Sequence, residues 1–136
     1  MTARYLIDTN VVSELARPRP DRALARRLSD AAPVLAIGAP TWHELQYGLH
    51  CLPSSRRKTE LTVFLAEIES TIPVLPYDGR AAAWHARERG RLDAKGKVTP
   101  FADGQIAAIA ATLGLTLVTR NVRDFAAFEG VSVERW

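Results

Sequence analysis

Asp103-Gly104-Gln105-Ile106-Ala107-Ala108-Ile109-Ala110-Ala111-Thr112-Leu113-Gly114-Leu115-Thr116-Leu117-Val118 is the stretch on which the fold turns. Residues 103–113 are almost entirely small and apolar, which predicts a buried helix rather than a surface one. Gly114 ends it, because glycine accepts the left-handed conformation that closes many helices. Leu115 to Val118 then reads as a short strand.

The same alternation continues outward in both directions. Upstream, Asp78 to Lys95 is a polar, arginine-rich helix ended by Gly96, preceded by a strand at Ile72-Pro73-Val74-Leu75. Pro73 lacks a ladder donor and places that strand's beginning, or the whole strand, at an edge. A helix from Ser54 to about Ser70 carries the clearest amphipathic stripe, Leu61, Phe64, Leu65 and Ile68. Pro53 separates it from a helix starting near Pro40 and Thr41, with Trp42, Leu45 and Leu49 on one face. Val34 to Ile37 is a buried strand closed by Gly38. Asp21 caps a helix running through Ala31, and Asn10 caps another from Val11 to Ala16 that Pro18 and Pro20 end. Tyr5-Leu6-Ile7 is the first apolar run, and Val131-Ser132-Val133 the last. Strands alternating with helices predict an α/β fold, a mainly parallel central sheet flanked by helices. The length of 136 residues, with no repeat or linker, predicts a single domain over 1–136.

Composition narrows the function without naming it. Hydrophobic residues at 47% and charged residues at 24% are those of an ordinary globular chain. One cysteine, Cys51, excludes an internal disulfide and a multi-cysteine zinc cage. The opening lacks the apolar core of a secretory signal, and no apolar run approaches the length of a membrane span, so a cytoplasmic protein is expected. A formal charge of +3 is compatible with a nucleic-acid substrate and proves none.

In parallel sheets, sites lie beyond the carboxyl ends of the strands. Asp8 ends the first strand, Glu44 lies on the helix after the second, and Asp103 opens the buried helix. Asn121 and Asp124 follow the fourth strand. Taken singly, each has a plainer reading: Asp103 as a helix cap, Glu44 as a solvated helix residue, Asp124 as a turn residue before Phe125. Taken together they predict a carboxylate cleft. Crowded carboxylates repel unless a cation neutralises them, and hard oxygen donors favour Mg²⁺ or Mn²⁺, which activate water against a phosphodiester. There is no glycine-rich phosphate loop, no nucleophile elbow, and His43-Glu44 does not continue into a zinc-protease pattern. His43, His50 and His85 are read on polar helix faces as surface or satisfied groups, Trp42 and Trp84 as core residues, and the many arginines as mostly solvated.

Four segments carry a family resemblance. Leu6-Ile7-Asp8-Thr9-Asn10-Val11-Val12-Ser13-Glu14-Leu15 resembles the opening of VapC-type PIN domains, near the FitB branch. Trp42-His43-Glu44-Leu45-Gln46-Tyr47-Gly48-Leu49 resembles the segment bearing the second acid, and Pro100-Phe101-Ala102-Asp103-Gly104-Gln105-Ile106-Ala107-Ala108 that bearing the third. Leu117 to Phe125, with the terminal Trp136, is similar to the family's C-terminal end. The resemblance implies a PIN fold, metal-dependent endonuclease activity on RNA, a VapB-type antitoxin partner and a homodimer. By position it implies Asp8 and Asp103 as principal metal ligands and Glu44 as a third acid. Thr9, Asn10 and Thr119 would orient those carboxylates. Many PIN domains carry an acid where Asn121 stands, so the fourth carboxylate has either shifted to Asp124 or is missing.

Two other readings compete. A haloacid-dehalogenase-like phosphatase would use Asp8 as a covalent nucleophile, but that family expects a second Asp where this chain has Asn10. A non-catalytic nucleic-acid- or partner-binding module on the same fold would bind without metal or cleavage.

Overall fold

The computed structural model describes residues 2–136. It runs β1 (Tyr5–Ile7), α1 (Thr9–Leu15), α2 (Arg22–Ala31), a 3-10 turn (Ala32–Val34), β2 (Leu35–Gly38), α3 (Ala39–His50) and α4 (Arg56–Thr71). Then come β3 (Val74–Leu75), α5 (Gly79–Ala94), α6 (Phe101–Leu113), β4 (Thr116–Val118), α7 (Val122–Phe125) and β5 (Ser132–Glu134). The strands form one five-stranded sheet in the order β3-β2-β1-β4-β5. Every pairing is parallel. Pro73 therefore precedes an edge strand, where its missing N–H leaves no gap in the ladder, and its carbonyl accepts from Ile37 N at 2.9 Å.

Both faces of the sheet are covered, so neighbouring strand residues enter opposite cores. Leu6, Ala36 and Leu117 pack with Ala81, Leu92, Ile106, Ile109 and Phe125 from α5, α6 and α7. Ile7, Leu35, Ile37 and Val118 pack with Val11, Leu24, Leu45 and Leu65 from α1 to α4. The period of two along each strand makes this division automatic. The helix read as buried, α6, places Ile106 to Ala110 fully inside, and Gly114 closes it at φ 67°. Trp84 and Trp42 pack against one core each.

Several boundaries differ from the sequence reading for identifiable reasons. Asp8, not Asn10, caps α1, its carboxylate accepting from Thr9 N, so the helix begins two residues early. Ser55 caps α4, accepting from Lys58 N, and moves its start to Arg56. Pro33 sits in the 3-10 turn that takes Val34 out of β2. Asp103 does not cap α6: Pro100 occupies that position and Asp103 lies in the first turn. His85 is not on a polar face; it is 2% exposed and packs between α5 and α6. No helix is long and apolar enough to cross a membrane among the described residues.

Candidate active site

The strand order places a switch point between β1 and β4. From β1 the chain winds outward to β2 and β3, then returns to add β4 and β5 on the other side. Connections leaving β1 and β4 therefore diverge at their carboxyl ends, the place where sites of such sheets form. Asp8 and Thr119 are the residues immediately beyond those two strands, and Asp8 N donates to Val118 O at 2.9 Å.

Asp8 is 6% exposed, and its carboxylate is tightly held. Oδ1 accepts from Thr9 N at 2.8 Å, and Oδ2 accepts from Asn10 Nδ2 at 3.0 Å and Thr119 Oγ1 at 2.9 Å. Those donors are themselves fixed. Asn10 Oδ1 accepts from Arg120 N at 3.0 Å, and Thr119 Oγ1 accepts from Asn121 N at 3.0 Å. Burial pushes the Asp8 carboxyl above its ordinary range, the charge of Asp124 adds to the rise, and the three hydrogen bonds oppose it. The lysines and arginines contribute nothing directly: among the described residues no ion pair involves Asp8, Asp103 or Asp124.

Asp103, in the first turn of α6, has the opposite character. Among the described residues no side-chain hydrogen bond holds it, and its pKa is pushed up to about 6 by burial first, then by the charges of Asp8 and Asp124. Asp124 lies in the short α7. Its backbone N donates to Asn121 O at 3.0 Å, while its side chain caps nothing. The structure thus brings Asp8, Asp103 and Asp124 into one electrostatic neighbourhood. Asn121 contributes its backbone N–H, with no hydrogen bond from its amide side chain.

Glu44 stands apart from these three. It is exposed on α3 and lines an apolar-walled cleft with Thr9, Ser13, Arg57, Leu61 and Phe64. Its link to Asp8 is indirect: Thr41, one turn earlier on α3 and fully buried, meets Thr9 Oγ1 at 3.4 Å. Glu44 is not among the charges acting on Asp8 or Asp103.

Two supporting residues escaped the sequence reading. Thr41 gave no signal, being one threonine in an amphipathic helix. Gly104 did carry one, as the lone glycine inside a buried helix. A Cβ there would lie 2.0 Å from His85 Nε2, so glycine lets α5 and α6 close beside Asp103. His85 is held in that contact by Tyr77 Oη at 3.1 Å from its Nδ1 and by the Phe101 ring at 4.8 Å.

Among the described residues, no group of three or more Asp, Glu, His or Cys side chains is placed to hold a metal ion. The donor set nevertheless fits a hard divalent cation. It is all oxygen, negatively charged and without an ion pair among the described residues, and Mg²⁺ is commonly held by one or two carboxylates with water completing its shell.

Comparison with known proteins places this geometry. The family model for the PIN domain matches residues 5–131, and the chain belongs to that family. It is 34% identical to VapC ribonuclease Y4jK of Sinorhizobium fredii, covering 90% of each chain. It is also 34% identical to toxin FitB of Neisseria gonorrhoeae, covering 96% of this chain and 97% of the relative. The crystal structure of DNA-bound VapBC from Salmonella typhimurium superposes with a TM-score of 0.87 at 28% identity, covering 98% of both chains.

Proposed function

We propose that this chain, acting as one domain over 1–136, is a divalent-metal-dependent endoribonuclease and the toxin of a toxin–antitoxin pair. The observation that carries the reading is the group Asp8, Asp103 and Asp124, three carboxylates without a basic partner at the switch point of a PIN domain. A VapC ribonuclease and a toxin among its relatives support RNA as the substrate and toxicity as the role.

Asp8 and Asp103 would hold Mg²⁺ or Mn²⁺, with Asp124 binding directly or through water. The bound ion would polarise the scissile phosphate and lower the pKa of an attacking water. The chain's own contribution is positional. Thr9, Asn10 and Thr119 lock the Asp8 carboxylate in one orientation, so that it meets the substrate complex without rearranging. Glu44 serves as the more distant acid, acting on substrate or water from across Thr9. The phosphatase reading is disfavoured because both Asp8 oxygens already accept hydrogen bonds, which blunts a nucleophile.

The apolar-walled cleft beside Glu44 fits a segment of a VapB-type antitoxin that sends a basic side chain toward the acids. The family resemblance supports a homodimer in the cytoplasm. The test is cleavage of total cellular RNA by purified chain, followed by sequencing of the new ends. Cutting in Mg²⁺ that stops with EDTA and is lost in Asp8→Asn and Asp103→Asn is the expected result. Metal-independent binding without cleavage would establish the non-catalytic module instead, and a phosphoaspartate trapped at Asp8 would establish the phosphatase.

A further inference from the structure

A second, basic hollow adjoins the acidic centre. It lies beyond the carboxyl ends of β4 and β5, is lined by Arg120, Asn121, Val122, Arg123, Asp124 and Arg135, and shares Asp124 with the carboxylate group. Arg120 and Arg135 follow two paired strands, in which Val118 stands opposite Glu134. Arg135 Nη1 donates to the Arg120 carbonyl, tying the two connections together. Three guanidinium groups thus crowd one rim.

Their internal partners leave donors over. Arg120 reaches Asp21 only at 3.4 and 3.5 Å, using two of its five N–H groups. Arg123 is exposed and has neither an ion pair nor a side-chain hydrogen bond among the described residues. The acids nearby are few. Asp21 faces Arg120, Asp124 lines the hollow itself and also acts on Asp8 and Asp103, and Glu134 accepts from Trp136 Nε1 at 3.0 Å and stands 3.9 Å from Arg27. Guanidinium forks match phosphate geometry, and an extended polyanion held at the acids must place its neighbouring phosphates beside something cationic.

We infer that Arg120, Arg123 and Arg135 form a subsite for the RNA backbone phosphate flanking the scissile one. The inference rests on the ribonuclease reading and goes beyond it by naming residues that grip the strand without touching the reacting atoms. Its test is the full chain carrying Asp8→Asn, so that nothing is cut, titrated against a fluorescein-labelled single-stranded RNA at several salt concentrations by anisotropy.

Arg123→Ala is expected to weaken binding about 3- to 10-fold and to reduce the slope of log affinity against log salt by about 0.7, the value for one phosphate contact on a single strand. Arg135→Ala should behave alike, Arg123→Glu should lose more, and Arg56→Ala, on a remote helix face paired with Glu60, should change neither quantity. In the cleaving protein, Arg123→Ala should raise KM and leave kcat within about twofold. Wild-type salt slopes in Arg123→Ala and Arg135→Ala would overturn the subsite, as would equal weakening by Arg56→Ala. If cleavage persists while those slopes stay unchanged, only the subsite falls. An unsubstituted chain that neither binds nor cleaves RNA overturns the ribonuclease reading and the subsite with it.

Discussion

Asp8 at the carboxyl end of the central strand β1 and Asp103 on the first turn of α6 carry the same functional group in two different seats. Asp8 is nearly sealed and receives three hydrogen bonds from groups that are themselves anchored. Asp103 has none, and its carboxyl is pushed up to about 6 by burial and by its two acidic neighbours. One seat is organised in advance by the protein, and the other is a bare charge whose natural partner is a cation. A site that binds a divalent ion gains from having both. The locked ligand fixes position, and the unpaired one supplies charge that the apoprotein holds at a cost.

The largest expected effect treats the two seats alike in activity and unequally in stability. Asp8→Asn and Asp103→Asn should each lower the cleavage rate by at least on the order of 10³, since each removes charge from the cation site. Measured on EDTA-treated protein at neutral pH, Asp103→Asn should melt higher than wild type because a repelled, half-buried charge is gone. Asp8→Asn also removes a buried charge whose pKa is raised, but the amide gives back about 1 kcal/mol of that gain in hydrogen bonding, so it should melt below Asp103→Asn. An amide NH₂ must face either Thr9 N–H or the Asn10 amide, whose oxygen is already engaged by Arg120 N. An Asp8→Asn protein that melts as high as Asp103→Asn would break the distinction between the seats.

Next in size is the contrast within the C-terminal segment. Asp124 acts electrostatically on both other acids, whereas the Asn121 side chain makes no hydrogen bond and carries no charge. Asp124→Ala should therefore slow cleavage by on the order of 10²–10³, and Asn121→Ala far less. Should Asp124→Ala cost thermal stability and spare the rate per molecule, Asp124 is a turn residue and the metal site is a pair.

The smallest effect concerns pH and the metal-free protein. Asp103 keeps its proton to a higher pH folded than unfolded, where a carboxyl titrates near pH ~4. The folded form therefore binds more protons between roughly pH 4 and 6, and stability falls as pH rises through that window, then levels off. His85, whose pKa burial and then Arg89 depress, runs the other way: its contribution is lost as pH falls below its unfolded value. The Tm difference between Asp103→Asn and wild type cancels His85. It should grow from pH 4.5 to 7 by about 2–5 °C and flatten above. A difference independent of pH would mean that Asp103 titrates normally.

Much of this arrangement was legible in the linear chain, and what was not follows a pattern. The strands and helices could be read because apolar periodicity and glycine or proline punctuation are local properties, complete within a few residues. Errors gathered at helix ends, where Asp8 and Asp103 are interchangeable as sequence but not as geometry. Asp8 has extended backbone angles that turn its carboxylate onto Thr9 N, while Pro100 holds the cap position of α6 three residues before Asp103. His85 was misplaced because its helix is arginine-rich overall. Only the missing Cβ of Gly104, on another helix, gives it a buried seat.

By itself, then, the sequence determined the alternating α/β order, the buried α6, and an inventory of acids standing after strands, together with the resemblance that those segments carry. Which acids share a field was decided by the tertiary structure alone. Asp124 joins Asp8 and Asp103, and Glu44 lies across Thr9 in the neighbouring cleft. The physical reason is range. Helix and strand formation depend on neighbours a few positions away, but Coulomb energy and hydrogen bonding depend on distance in space. The bond that orients Asp8 comes from Thr119, 111 residues further along the chain, and exists only once β4 has paired beside β1.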